Sequence, residues 1–183
     1  MTQPVAMAIV ALLGLVLLYA VLTGRRRLAR RTRALVPPPP AVPSTLGLVR
    51  VGPIDATYVS STLAGDWLAR IGAHGLGDRS SARVSVYEPG VLIEREGAEE
   101  IFIPVETVEA AGLGPGMAGK YVGTDGLVVI TWEVPADPDV PDVPATVIDT
   151  GLRTRRATDR GALVDAVRHL VAAQTHPYPE EAR

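Results

Sequence analysis

The chain has 183 residues, 18 basic and 20 acidic, with a formal charge of −2, no cysteine and 4% aromatic residues. That length leaves room for one ordinary domain beside any targeting segment, and the absence of cysteine excludes disulfides, thiolate metal sites and thiol catalysis. The near-neutral total hides an asymmetry. Six of the 18 basic residues lie before residue 34 and no acidic residue does, so residues 34–183 carry 12 basic against 20 acidic residues, a balance of −8. An acidic body argues against nucleic acid as a partner.

Residues 5–23 form an uncharged run rich in Leu, Val, Ala and Ile. As a helix these nineteen residues would reach about 28 Å, close to the ~30 Å hydrocarbon core of a bilayer, and helix is the form in which a lone span satisfies its backbone. Arg25, Arg26, Arg27, Arg30, Arg31 and Arg33 follow at once as a basic collar. Because all flanking charge is on the C-terminal side, the expected topology is a single-pass inner-membrane protein, N-terminus out and C-terminal domain cytoplasmic. A cleaved signal peptide would instead place basic residues before a shorter apolar run and end in a small-x-small site, a poor description of Leu18-Tyr19-Ala20. The collar is expected to attract anionic lipid at about 1 kcal/mol per basic residue.

Residues 24–36 contain no breaker and are expected to extend the helix as a basic juxtamembrane segment up to Pro37. Pro37-Pro38-Pro39-Pro40, with Pro43, reads as a polyproline linker over residues 37–46, a semi-rigid spacer of up to about 30 Å that would hold the domain off the membrane surface.

From Gly47 the texture changes to short apolar runs broken by Gly, Pro and Asp, the mark of a β-rich domain, taken here as residues 47–175. Strands are predicted at 48–51 and 56–63 around a turn Gly52-Pro53-Ile54-Asp55, and at 82–87, where apolar and polar residues alternate. Glu88-Pro89-Gly90 suits a type II turn into a strand at 91–95, and a tip at Glu96-Gly97-Ala98 leads to a strand at 100–103. Pro104 is expected to open a helical or turn segment through Ala111. Residues 119–123 and 127–134 read as a hairpin closed by Thr124-Asp125-Gly126, with Trp132 in the core. After an Asp- and Pro-rich loop at 135–144 comes a last strand at 145–152. An amphipathic helix closes the domain, capped by Thr158 or Asp159 and carrying Leu163, Val167, Leu170 and Val171 on one face, and a disordered tail is expected at 176–183. The expected fold class is mainly β: a small sandwich or open barrel of about seven antiparallel strands with a C-terminal α-helix.

No motif commits the chain to a chemistry. Gly114-Pro-Gly116-Met-Ala-Gly119-Lys120-Tyr121 formally contains G-x-G-x-x-G, but a phosphate loop needs a strand before it and a helix after it, and Tyr121 stands where the P-loop needs Ser or Thr. The long connection at 66–80 gathers Asp66, Trp67, Arg70, His74, Asp78 and Arg79, and together with Lys120, the chain's sole lysine, it is the candidate binding loop. Glu94, Glu96, Glu99 and Glu100 read as a solvated acidic rim, and His74, His169 and His176 lack metal spacing. No catalytic residue, metal or cofactor is expected.

Several short stretches in series carry a resemblance: Thr57-Tyr-Val-Ser-Ser-Thr-Leu63, Val91-Leu-Ile-Glu-Arg-Glu-Gly-Ala98, Ile101-Phe-Ile-Pro104, Ala118-Gly-Lys120, Asp125-Gly-Leu127 and Asp149-Thr-Gly-Leu-Arg153. Together with the N-terminal anchor, the chain resembles actinobacterial single-span membrane proteins that carry a bacterial pleckstrin-homology-like (PH-like) domain. The resemblance implies two near-orthogonal antiparallel sheets capped by a C-terminal helix, and supplies no catalytic residue. The expected function is a membrane-anchored, non-catalytic interaction or scaffold module whose partner is a cytoplasmic or membrane protein or a second copy of the chain. The alternatives are an accessory component of a membrane transporter, a label some of these proteins carry, and small-molecule or nucleotide binding at the 66–80 and 114–121 loops.

Overall fold

The computed structural model describes residues 3–175, so residues 1 and 2 and the expected tail at 176–183, with His176, lie outside the described residues. Helix α1, Gln3–Arg33, is continuous through the apolar run and the collar. It is the one described helix long and apolar enough to cross a membrane, with a mean hydropathy of 2.9 over an 18-residue stretch.

The strands are β1, Val51–Leu63; β2, Ser80–Val86; β3, Gly90–Arg95; β4, Ile101–Pro104; β5, Val108–Gly114; β6, Gly116–Met117; β7, Lys120–Tyr121; β8, Leu127–Val134; and β9, Thr146–Thr154, before helix α2, Thr158–Thr175. Seven of them form one antiparallel sheet in the order β4-β3-β2-β1-β9-β8-β5, and β6-β7 is a separate two-stranded ribbon. The fold is mainly β with a C-terminal helix, as expected. Hydrogen bonding runs unbroken across the long central β1, which pairs with β2 on one side and β9 on the other, so the two sheets of the expectation are joined as one. Register shifts in β1 before Ile54 and before Ser60, and in β5 before Ala110, mark bulges. Such bulges bend a strand and sharpen its twist, the usual device for curving a sheet around a core.

Three expectations need correction. Gly52-Pro53-Ile54-Asp55 is not a turn but the bulged start of β1, and residues 48–50 precede the strand. The segment after Pro104 is only a single 3₁₀ turn, Val105–Thr107, and residues 108–114 form β5, paired along β8 from Val108 opposite Trp132 to Gly114 opposite Leu127. Residues 120–121 therefore pair with 116–117 rather than with β8.

The core lies between the curved sheet and α2, whose Leu163, Val164, Val167 and Leu170 are buried, while Asp165, Arg168 and His169 face out. Trp132 is fully buried. Its Nε1–H donates to Thr150 Oγ1 at 2.9 Å, which lies 2.9 Å from Ser61 Oγ, itself 2.8 Å from the Tyr58 hydroxyl. Tyr58 donates to the Leu76 carbonyl at 2.7 Å. A carbonyl only accepts and each hydroxyl has one proton, so the chain has one direction, from Trp132 through Thr150, Ser61 and Tyr58 to Leu76. This buried relay ties β8, β9 and β1 to the 66–80 connection.

Candidate functional site at the junction of anchor and domain

The 66–80 connection is a fastened structure. Asp66 Oδ1 accepts the amides of Leu68 and Ala69 at 3.0 and 3.2 Å, and residues 69–71 run back along the end of β1 through bonds between Leu63 and Ala69 and between Ser61 and Ile71. Ile71, Ala73 and Leu76 are fully buried. Arg95 stacks over the Tyr58 ring at 4.8 Å and donates to the carbonyls of Gly75 and Glu99 at 2.8 and 2.6 Å. Burial pushes the Tyr58 hydroxyl far above its ordinary value and lowers the Arg95 guanidinium, since each charged form would lose hydration.

Against this connection sits the foot of α1. Thr32 Oγ1 accepts the backbone N–H groups of Gly72 and Ala73 at 3.1 and 2.9 Å while donating back to the Leu28 carbonyl at 2.8 Å. His74, in the left-handed region at φ 52°, has Nε2 3.0 Å from the Val36 carbonyl; the acceptor is a carbonyl, so Nε2 carries the proton. Thr146 Oγ1 donates to the Leu35 carbonyl at 2.7 Å. Val36 is fully buried within the domain core and Pro37 is buried beside it. The foot of the helix and the first prolines are thus part of the domain wall, where the expectation was a spacer holding the domain away. Apolar burial of Val36 and the bonds of Thr32 outweigh the extended reach open to a proline run.

The structure divides the predicted site residues into two groups. Arg70, Asp78 and Arg79 face the collar: Asp78 is ion-paired with Arg25, an Arg70 Nη donates to the Gly77 carbonyl, and these residues with Arg26 line a cleft of about 610 Å³ between α1 and the connection. Trp67 and Lys120 belong elsewhere. Trp67 is 51% exposed, and its carbonyl accepts the amide of Ala118 at 2.7 Å, which ties it to the β6-β7 ribbon bearing exposed Lys120. Glycine-rich residues 114–121 form that ribbon, with no helix opening from it, so they lack the helix N-terminus on which phosphate binding at such a loop depends.

Arg27, Arg30, Arg31 and Arg33 are exposed and lie outside the cleft. Sequence reasoning missed Thr32, Leu28 and Ala29, because a threonine and two apolar residues among arginines give no signal until the loop they touch is in place. It also missed a second, wider cleft of about 770 Å³ on the sheet, where Arg79, Arg83, Arg95, Arg153 and Arg155 meet four carboxylates. There Arg83 and Glu94 pair at 3.0 Å, so opposite charges compensate one another. Among the described residues no group of His, Cys, Asp and Glu could hold a metal ion.

The model of a bacterial PH domain-like family matches residues 36–168, most of the chain. The chain belongs to this family. The match begins at Val36, the residue by which the segment after α1 enters the core. This family suggests a non-catalytic interaction module, as PH-like domains generally are. Comparison with curated proteins gave no match. Among solved structures the chain is similar to one chain of the structure described as "The 8S snRNP Assembly Intermediate", at 12% identity and a TM-score of 0.42, over 81% of this chain and 96% of that one.

Proposed function

We propose that this PH-like protein is a single-pass, membrane-anchored interaction module, N-terminus out, that presents its domain at the cytoplasmic face of the inner membrane. The supporting observation is the seat of α1: Thr32, Val36 and the Gly72-Ala73 backbone couple an apolar helix to the domain without a free linker. A domain fixed in this way has a defined face toward the lipid and a defined face away from it. The collar arginines contact anionic headgroups, and the sheet cleft, with its mixed charges, faces a protein partner or a second copy of the chain. A non-catalytic role is supported by the family.

The test uses the full chain with a C-terminal epitope. Retention in membranes after alkaline carbonate, and digestion of the epitope by protease only in inside-out vesicles, is the expected result. Release by carbonate, or protection of the epitope in inside-out vesicles, would overturn the anchor or its orientation. Chemical crosslinking in native membranes that reproducibly traps neither a second copy nor another protein would overturn the interaction role.

A further inference from the structure

The cleft between α1 and the 66–80 connection combines two chemistries along one line. Val21, Arg25, Leu28 and Thr32 recur at i, i+4, i+7 and i+11, so a single stripe of α1 faces the domain. At its N-terminal end the cleft wall is Val21, inside the apolar run; toward the C-terminus the lining passes to Arg25 and Arg26, and the domain adds Arg70 and Arg79. Four guanidiniums and one carboxylate, Asp78, face the space. Asp78 is taken by Arg25, and Arg70 is held by the Gly77 carbonyl, which leaves its charge uncompensated. The side chains of Arg26 and Arg79 have no hydrogen bond or ion pair among the described residues, and Arg79 stands on the border between this cleft and the mixed-charge sheet cleft. Collar and domain together, although residues 34–183 carry a net −8, therefore concentrate an excess of three positive charges at the depth where the apolar helix ends, since Arg25 lies only about 3 Å beyond Thr23 along the axis.

We infer that this cleft binds one anionic phospholipid, its phosphate held by Arg26, Arg70 and Arg79 and the start of its acyl chain laid against Val21. The inference rests on the membrane-anchored reading and sharpens it: headgroup recognition belongs to a cleft built jointly by anchor and domain, not to the collar as a whole. Arginine suits the task because its planar fork can make paired hydrogen bonds to phosphate oxygens. The Arg25–Asp78 pair closes one wall and keeps the carboxylate from repelling the ligand. Free phosphate shares the recognised chemistry but has nothing to place on Val21.

The experiment takes the full chain in neutral-detergent micelles and measures bound lipid per protein after gel filtration, with phosphatidylglycerol, phosphatidylcholine of the same chains, or inorganic phosphate as probe. Saturable retention of phosphatidylglycerol over phosphatidylcholine is expected, weakened roughly fivefold by each of Arg26→Gln and Arg79→Gln. Arg79→Lys, which keeps the charge but not the paired fork, should recover part of the loss, and Arg33→Gln, in the collar but outside the cleft, should cost clearly less than Arg26→Gln. Equal retention of the two lipids, or an Arg33→Gln loss equal to that of Arg26→Gln, would overturn the cleft in favour of diffuse attraction. Displacement by equimolar inorganic phosphate would overturn the lipid and leave a soluble-phosphate site. Carbonate release of the protein, with arginine-dependent retention intact in micelles, would fail the anchor and spare the cleft; membrane embedding without selective retention would do the reverse.

Discussion

The hydroxyl oxygen of Thr32, in the last turn of α1, lies 2.9 Å from the amide nitrogen of Ala73, a residue with no exposed surface. The same oxygen takes the Gly72 amide, so one side chain satisfies two backbone donors of the domain across some forty residues of sequence. The apolar helix α1 and the PH-like domain meet at this point.

Replacing Thr32 with Val keeps the shape and removes the acceptor, leaving the Ala73 amide buried and unpaired. The expected loss is about 1–3 kcal/mol in the stability of the docked state. It should be read as a lower thermal midpoint of the full chain in detergent and as faster proteolysis within residues 34–46. Thr32→Ser, which retains the hydroxyl, should behave close to the unmodified protein. An unchanged midpoint in Thr32→Val would mean that the seat is held by Val36 alone.

Tyr58 supplies a pH-dependent prediction. Its hydroxyl donates to the Leu76 carbonyl and accepts from Ser61, and burial raises its folded-state pKa above the unfolded value. The folded protein therefore keeps a proton that the unfolded chain releases above about pH 10, and linkage makes this stability contribution complete below that pH and lost as pH rises beyond it. Tyr58→Phe should cost about 1–2 kcal/mol near neutrality through the lost bonds. Above pH 10 the gap between the two proteins should narrow, because only the tyrosine form carries the proton penalty. Urea midpoints of both proteins from pH 7 to 11 measure it, and a gap constant with pH would contradict the assignment.

The elements legible in the sequence were those whose own residues carry a period or a long apolar run. The alternation of β2 and the i, i+4 spacing of Leu163 and Val167 each report a face that must be buried, and the unbroken apolar run of α1 reports its helix by length and composition alone. Strand β5 carries no such signal, because Val108-Glu-Ala-Ala-Gly-Leu-Gly114 is poor in strand formers. Its reason is tertiary: α2 packs across β5, and Arg168 donates to the Ala111 carbonyl at 2.7 Å with its guanidinium beside Gly112, an approach that large side chains would block. The candidate site divides likewise. Arg70, Asp78 and Arg79 stood out by residue type, whereas their alignment with the collar depends on Thr32 and Gly72, which only the fold brings together.

Gly72 makes the last of these contacts sensitive to a single methyl group. A Cβ built there would come within 2.8 Å of Leu28 Cγ and 3.0 Å of the Ala29 amide nitrogen, and the second of these is helix backbone that cannot turn aside. Gly72→Ala should therefore push α1 away from the connection, lengthen both bonds to Thr32 and open the cleft lined by Arg26 and Arg79. We expect a loss of about 1–3 kcal/mol, of the size seen for overpacking in a tight site, with the sheet itself intact by far-ultraviolet circular dichroism. Gly161→Ala is the matched control, since a Cβ in that helical position of α2 meets nothing within 4 Å and should stabilise the protein by about 1 kcal/mol. A crosslink between cysteines placed at positions 28 and 72 would report the separation directly in native membranes. Equal thermal midpoints for Gly72→Ala and the unmodified protein would show that α1 has slack at its seat.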